Sequence, residues 1–188
     1  MGGEGRTEKV MQGFTLIELM VIIAIMGIIA AVAVPQFNIW MIRATIQGAS
    51  GHLQQDVAWA EGYAIRSGYP VQVNITGGGT TGCTWSITPQ TANVVQQQVP
   101  QMTASEFASR YPNTVCKIVP GATGATFSVT PTGMVYGSGG TITSADVTFG
   151  NASPNAARFG YWLTQISGAG NLRNCATSAP TSSVCNLQ

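Results

Sequence analysis

The spacing of apolar positions divides the chain into three stretches. Residues 14–34 hold 21 positions with a single charge, Glu18, and residues 19–34 are 16 apolar positions in succession. That length is enough for the ~30 Å hydrocarbon core of a bilayer. Next, Ile39, Ile42, Ile46, Ala49, Leu53, Val57, Ala60 and Ala64 step by three or four residues, the helical period. Gly68 and then Pro70 form a stop signal. The pattern predicts one near-continuous helix from Phe14 to about Ser67, ~80 Å long at ~1.5 Å per residue. Gly27 and Pro35 are its expected points of bending. Such a helix is not stable alone, so its second half must lay its stripe on the rest of the chain.

From Pro70 the period becomes two. "VQVNIT" puts Val71, Val73 and Ile75 on one face, and "CTWSI" does the same for Cys83, Trp85 and Ile87. With the glycine run at 77–82 between them, they predict a hairpin with a long loop. Further strands are expected at 94–99, 115–119, 125–130, 146–150 and 158–166, with a helical turn in "SEFASRY". "SGAGNLRNC" (167–175) should turn the chain into a last strand. The class is α+β, a long helix on an antiparallel sheet, with His52 beside the stripe, on the polar face or at the helix–sheet boundary. Trp40, Trp59, Trp85 and Trp162 are expected in the core.

Composition changes the picture in two ways. Only 8% of residues are charged, against about 25% in ordinary soluble domains, and mean hydropathy is +0.20. Both favour a membrane-attached chain with a polar, uncharged surface. Net charge is +1, so any nucleic-acid binding requires a local basic patch. Cys83, Cys116, Cys175 and Cys185 all follow the apolar stretch, without a C-x-x-C or a nearby histidine. A metal site is therefore not expected, and two disulfides in an oxidising compartment are. Three connectivities are open. A short C-terminal loop favours Cys175–Cys185, which leaves Cys83–Cys116. One histidine and four acids beyond the apolar stretch, Asp56, Glu61, Glu106 and Asp146, suggest no acid–base or nucleophile set. No enzyme activity and no cofactor are expected.

A signal peptide and a plain anchor both leave Glu18 unexplained, since a central carboxylate costs roughly 2.5–3.5 kcal/mol in a membrane. "KVMQGFTLIELMVIIAIMGIIAAVAVP" (9–35) resembles the class III leader of type IV prepilins and type II secretion pseudopilins. The resemblance implies cleavage between Gly13 and Phe14 by the prepilin peptidase and N-methylation of Phe14. It also implies an assembly ion pair between the new Phe14 amine of one subunit and Glu18 of the next. "AIRSGYPV" (64–71), "ATFSVTPTGMV" (125–135) and "SGAGNLRNC" resemble the head of GspH/FimT-type subunits, FimU-like members included. That resemblance implies a type IV pilin fold in four parts. These are a leader (1–13), a transmembrane and assembly helix (14–36), an amphipathic half (37–68) and a β-rich head (69–188). The implied function is a minor pilin that helps to initiate or cap a type IV pilus, in twitching motility, adhesion or DNA uptake. A type II secretion minor pseudopilin is the alternative, although the cysteine pairs fit pilus subunits better. Implied partners are the peptidase, other minor and major pilins and the inner membrane, with the head periplasmic and later extracellular on the pilus. DNA is a further implied partner, because some members bind it through arginines of the closing motif. Arg173 is the second of these, Asn171 stands in place of the first, and Arg158 is a further candidate contact.

Overall fold

The computed structural model describes residues 14–77, 82–91, 99–119 and 123–185. The leader with Gly13, the strand expected at 94–99 apart from Val99, and most of the glycine turn lie outside the described residues. The chain forms two compact units, Met1–Ile39 and Trp40–Gln188. Helix α1 runs over Leu16–Ser67, unbroken through Gly27 and Pro35, and its start and end supply parts of both units.

In the second unit α1 buries Ile46, Ala49, Leu53, Val57, Ala60 and Ala64, the heart of the expected stripe. Ser50 and Asp56 are buried in the same stripe, which apolar spacing did not reveal. Strands follow as β1 (Val71–Gly77), β2 (Cys83–Pro89), β3 (Gln101–Met102), then α2 (Ala104–Arg110) and β4 (Thr114–Val119). The chain continues through β5 (Gly124–Val129), β6 (Val135–Gly137), β7 (Ala145–Asn151), a 3-10 turn (Ala156–Arg158), β8 (Tyr161–Ile166) and β9 (Leu172–Thr177). The strand expected at 158–166 starts three residues late, because Arg158 closes the 3-10 turn and Gly160 has φ +78°. Trp40 is 63% exposed, against the expectation of a core residue, whereas Trp85 is buried.

The expected sheet is in fact two, both antiparallel. One has the order β3-β2-β1-β5-β6 and the other β4-β7-β8-β9. The physical reason lies in the helix, whose polar side chains bond in both directions. Trp85 Nε1 on β2 donates to Asp56 Oδ2 at 2.6 Å, and Thr164 Oγ1 on β8 lies 2.8 Å from Ser50 Oγ. One flat sheet could not reach both flanks of a helix. The structure pairs Cys83 with Cys116 and Cys175 with Cys185. The first joins the two sheets, from β2 to β4. At Gly77, opposite Cys83 in the β1–β2 register, a side chain would collide with Cys116 Sγ.

The second disulfide closes residues 178–185 over the outer face of the four-stranded sheet. Leu163 points outward beside Cys175 in the β8–β9 register yet is 0% exposed. Gln165 Nε2 donates to Ser183 O at 3.2 Å, fixing the same segment. Beneath it Asp146 is buried, with one carboxylate oxygen lacking a hydrogen-bond partner. Burial raises its pKa, opposed by a hydrogen bond from Gln165. Glu61 on α1 also has an unpartnered buried oxygen, and burial pushes its pKa from 4.5 to about 7.

Both carboxyl groups hold their protons more tightly folded than unfolded. Stability from Glu61 is therefore present while it is protonated and is lost as pH rises from 4.5 through about 7. The melting temperature of the full-length chain in detergent micelles should fall between about pH 5 and pH 8. Glu61→Gln should flatten most of that slope and raise the melting temperature at neutral pH; an unchanged slope would refute it. Replacing Cys83 and Cys116 by Ala should cost roughly 3.5–4 kcal/mol in urea unfolding, since the bond closes a 33-residue separation. Losing Cys175–Cys185, with a separation of 10, should cost about 1 kcal/mol less.

Candidate functional site

In the first unit the candidate residues Phe14 and Glu18 stand at the start of α1. Phe14 precedes the helix and is 76% exposed. Thr15 and Glu18 have the S/T-x-x-E spacing of a capping box, and the Glu18 N–H donates to Thr15 Oγ1 at 3.3 Å. Glu18 thus lies in the first turn, where the positive end of the helix dipole favours a carboxylate. That local role is legible in "TLIE", although hydropathy and spacing alone passed over it. It accounts for a carboxylate near a helix start but not for one at the head of an apolar run.

The run itself is uncovered. Leu16, Ile17, Met20, Ile23, Met26 and Ile28 are all exposed. The 18-residue window that qualifies this helix as a candidate span has hydropathy 2.8 and is 0% buried. So contiguous an apolar surface marks a lipid or protein contact.

In the head, the polar residues nearest to a constellation are Asp56, His52, Trp85 and Tyr111. Asp56 accepts from Trp85 Nε1, His52 Nε2 lies 3.7 Å from the same carboxylate oxygen, and His52 Nδ1 is 3.0 Å from Tyr111 Oη. Burial raises the Tyr111 pKa, with Arg110 lowering it and Asp56 adding to the rise. Trp85, Phe107 and Tyr111 pack edge-on or tilted around the group. These contacts fasten α1 to β2 and α2, which places His52 at the helix–sheet boundary. On the opposite flank Ser50, Thr164 and Asn174 form a second hydrogen-bonded group. Neither pairs a serine or cysteine with a histidine or carboxylate base. Among the described residues no group of three or more His, Cys, Asp or Glu could hold a metal ion.

The two candidate DNA contacts are not brought together. Arg173 lies on β9 opposite Gln165, and Arg158 lies just before Tyr161, which pairs with Thr177. Four residues of strand, ~13 Å at ~3.3 Å each, separate those rows. The glycines of the closing motif have a structural use of their own. Gly170 (φ +78°) and Gly133 (φ +79°) both need left-handed backbone, and a side chain on Gly170 would strike the Gly133 carbonyl. The "PTGM" and "SGAGN" turns thus pack backbone to backbone, and Val135 N–H bonds Gly168 O at 3.0 Å across the two sheets.

Comparison with known proteins agrees with this division. The prokaryotic N-terminal methylation motif matches residues 9–34. Among characterised relatives, the type IV major fimbrial protein FimA of Dichelobacter nodosus is 44% identical over 59 residues, 31% of this chain and 32% of its own. A fimbrial protein of Pseudomonas aeruginosa is 49% identical over 41 residues, 22% of this chain and 27% of its own. The chain thus spans a third or less of the relatives it matches. Of solved structures, the type IV minor pilin FimU of P. aeruginosa aligns over 70% of this chain and 88% of its own, at 16% identity and TM-score 0.49. The minor pseudopilin EpsH of the Vibrio cholerae type 2 secretion system aligns over 70% and 96%, at 15% identity and TM-score 0.44. The family model of type II transport protein GspH matches residues 49–170, from the buried half of α1 to the β8–β9 turn. That is more than half of the sequence, and the chain belongs to the GspH family.

Proposed function

We propose that the chain is a minor subunit of a type IV pilus, acting at the initiating or capping end of the filament. In this reading the prepilin peptidase cleaves between Gly13 and Phe14, and Phe14 is N-methylated. Residues 14–36 hold the subunit in the inner membrane, with residues 37–68 completing the helix and the head in the periplasm, until the filament takes it up. Gly27 and Pro35 are where that helix would yield during uptake.

One observation carries the reading: Glu18 is the only ionisable side chain between Phe14 and Arg43, in a helix whose membrane-length apolar window is 0% buried among the described residues. Opposite charges ~4 Å apart attract by ~1 kcal/mol in water and ~4 kcal/mol at an effective dielectric near 20. The second figure exceeds the roughly 2.5–3.5 kcal/mol cost of a carboxylate in a membrane. A Phe14 amine on a neighbouring subunit therefore turns Glu18 from a burden into a reason to assemble. The N-terminal methylation motif over 9–34 supports the processing. A pseudopilin of a type II secretion system uses the same chemistry, and the name of the matching family favours it as the second reading.

Glu18→Ala should leave cleavage nearly intact and reduce recovery in sheared filaments at least tenfold, read by immunoblot of membrane and filament fractions. Normal incorporation of the variant would sink the ion-pair account. Wild-type subunit at trace level in sheared pili supports the minor pilin; presence only in a secretion pseudopilus supports the second reading.

A further inference from the structure

We propose that a cavity at the start of the head binds the phosphate headgroup of an anionic membrane phospholipid. The cavity has a volume of about 530 Å³ and lies wholly within the unit Trp40–Gln188. Trp40, Arg43 and Gln47 form its helical wall, and Phe159, Tyr161 and Trp162 face them from the 3-10 turn and β8. No carboxylate lines it.

Arg43 donates one guanidinium hydrogen bond, at 3.2 Å, to the carbonyl of Arg158. Arg158 itself is exposed and stands in the chain between the lining residues Ala157 and Phe159, and the bond to its carbonyl leaves most of the five Arg43 donors for another acceptor. Among the described residues neither arginine has an ion-pair partner, the ion pairs being His52–Asp56 and Glu106–Arg110. A phosphate offers the planar, bidentate acceptor that a guanidinium matches best. The aromatic lining belongs to the same chemistry, since Trp and Tyr gather at the level of lipid headgroups.

Sequence position selects the source of the phosphate. Five residues separate Val34, the last of the apolar run, from Trp40, the first of the cavity wall. If residues 14–36 span the membrane, as the preceding reading has it, the short intervening chain keeps the cavity wall within reach of the bilayer surface. There a headgroup is always at hand. Two cations near an anionic surface contribute together a preference of about thirtyfold. The contact would hold the head to the membrane before assembly and break on extraction.

The test uses the full-length chain in nanodiscs of phosphatidylethanolamine, alone or mixed with phosphatidylglycerol, with lipid retention and copy number read by native mass spectrometry. The wild type should retain phosphatidylglycerol over phosphatidylethanolamine, and Arg43→Gln with Arg158→Gln should lower that retention about thirtyfold. Arg43→Lys should keep most of it, and Lys117→Gln, on the outer face of β4, should change nothing. Equal retention of the two lipids, or full retention by the double variant, overturns the proposal. Displacement of lipid by soluble glycerol phosphate assigns the site to free phosphate instead. A lipid-free dimer assigns it to a second copy of the chain. A chain that does not enter nanodiscs at all removes the membrane reading of residues 14–36, and this inference with it. Unchanged far-UV circular dichroism of the variants separates lost binding from lost folding.

Discussion

The stripe of Ile46, Ala49, Leu53, Val57, Ala60 and Ala64 on α1 is fully buried, and burying it takes two sheets. Three of the six are alanines, which contribute little apolar area but let strands come close to the helix axis. Each larger side chain contributes ~1.5–3 kcal/mol on burial, and the helix would not persist as a monomer without that cover. The helix also needs flank support, because a stripe so narrow does not fix its rotation. Asp56 on one side and Ser50 on the other supply it through directional hydrogen bonds to Trp85 and Thr164.

From that constraint the head's other features follow. The Cys83–Cys116 bond ties β2 of one sheet to the edge strand β4 of the other, and the Gly133–Gly170 contact joins their turns where side chains would keep them apart. Function is pushed to the parts that the core leaves alone. Among the described residues the start of α1 is left uncovered, and the arginines at the start of the head have no carboxylate partner. Both are open to lipid or to other subunits.

Periodicity made the helix, most strands and their buried faces legible. Val71, Val73 and Ile75 alternate and are buried as alternation requires. Two sheets instead of one could not be read, because strand pairing depends on contacts distant in sequence, such as Cys116 facing Phe149 in register. β3 and β6, at two and three residues, are too short to carry a period. Ser50 and Asp56 look like breaks in the stripe until their partners on β2, β8 and β9 are known. The assembly segment is the reverse case. "GFTLIE" displays its motif in six letters, because the roles proposed for Phe14 and Glu18 rest on covalent processing and position in an apolar run. Arg43 went unremarked because nothing in its neighbours signals that Arg158, 115 positions away, would stand beside it.

The strap closed by Cys175–Cys185 makes the head's outer surface conditional on redox history. Leu163 and the unpartnered Asp146 oxygen are sealed beneath residues that have no strand or helix of their own to hold them. A reduced head would leave an adhesive sheet face open to proteases and chaperones. One covalent bond therefore decides whether that face is covered. Under the reading proposed above, a subunit would present its finished surface only in oxidising surroundings.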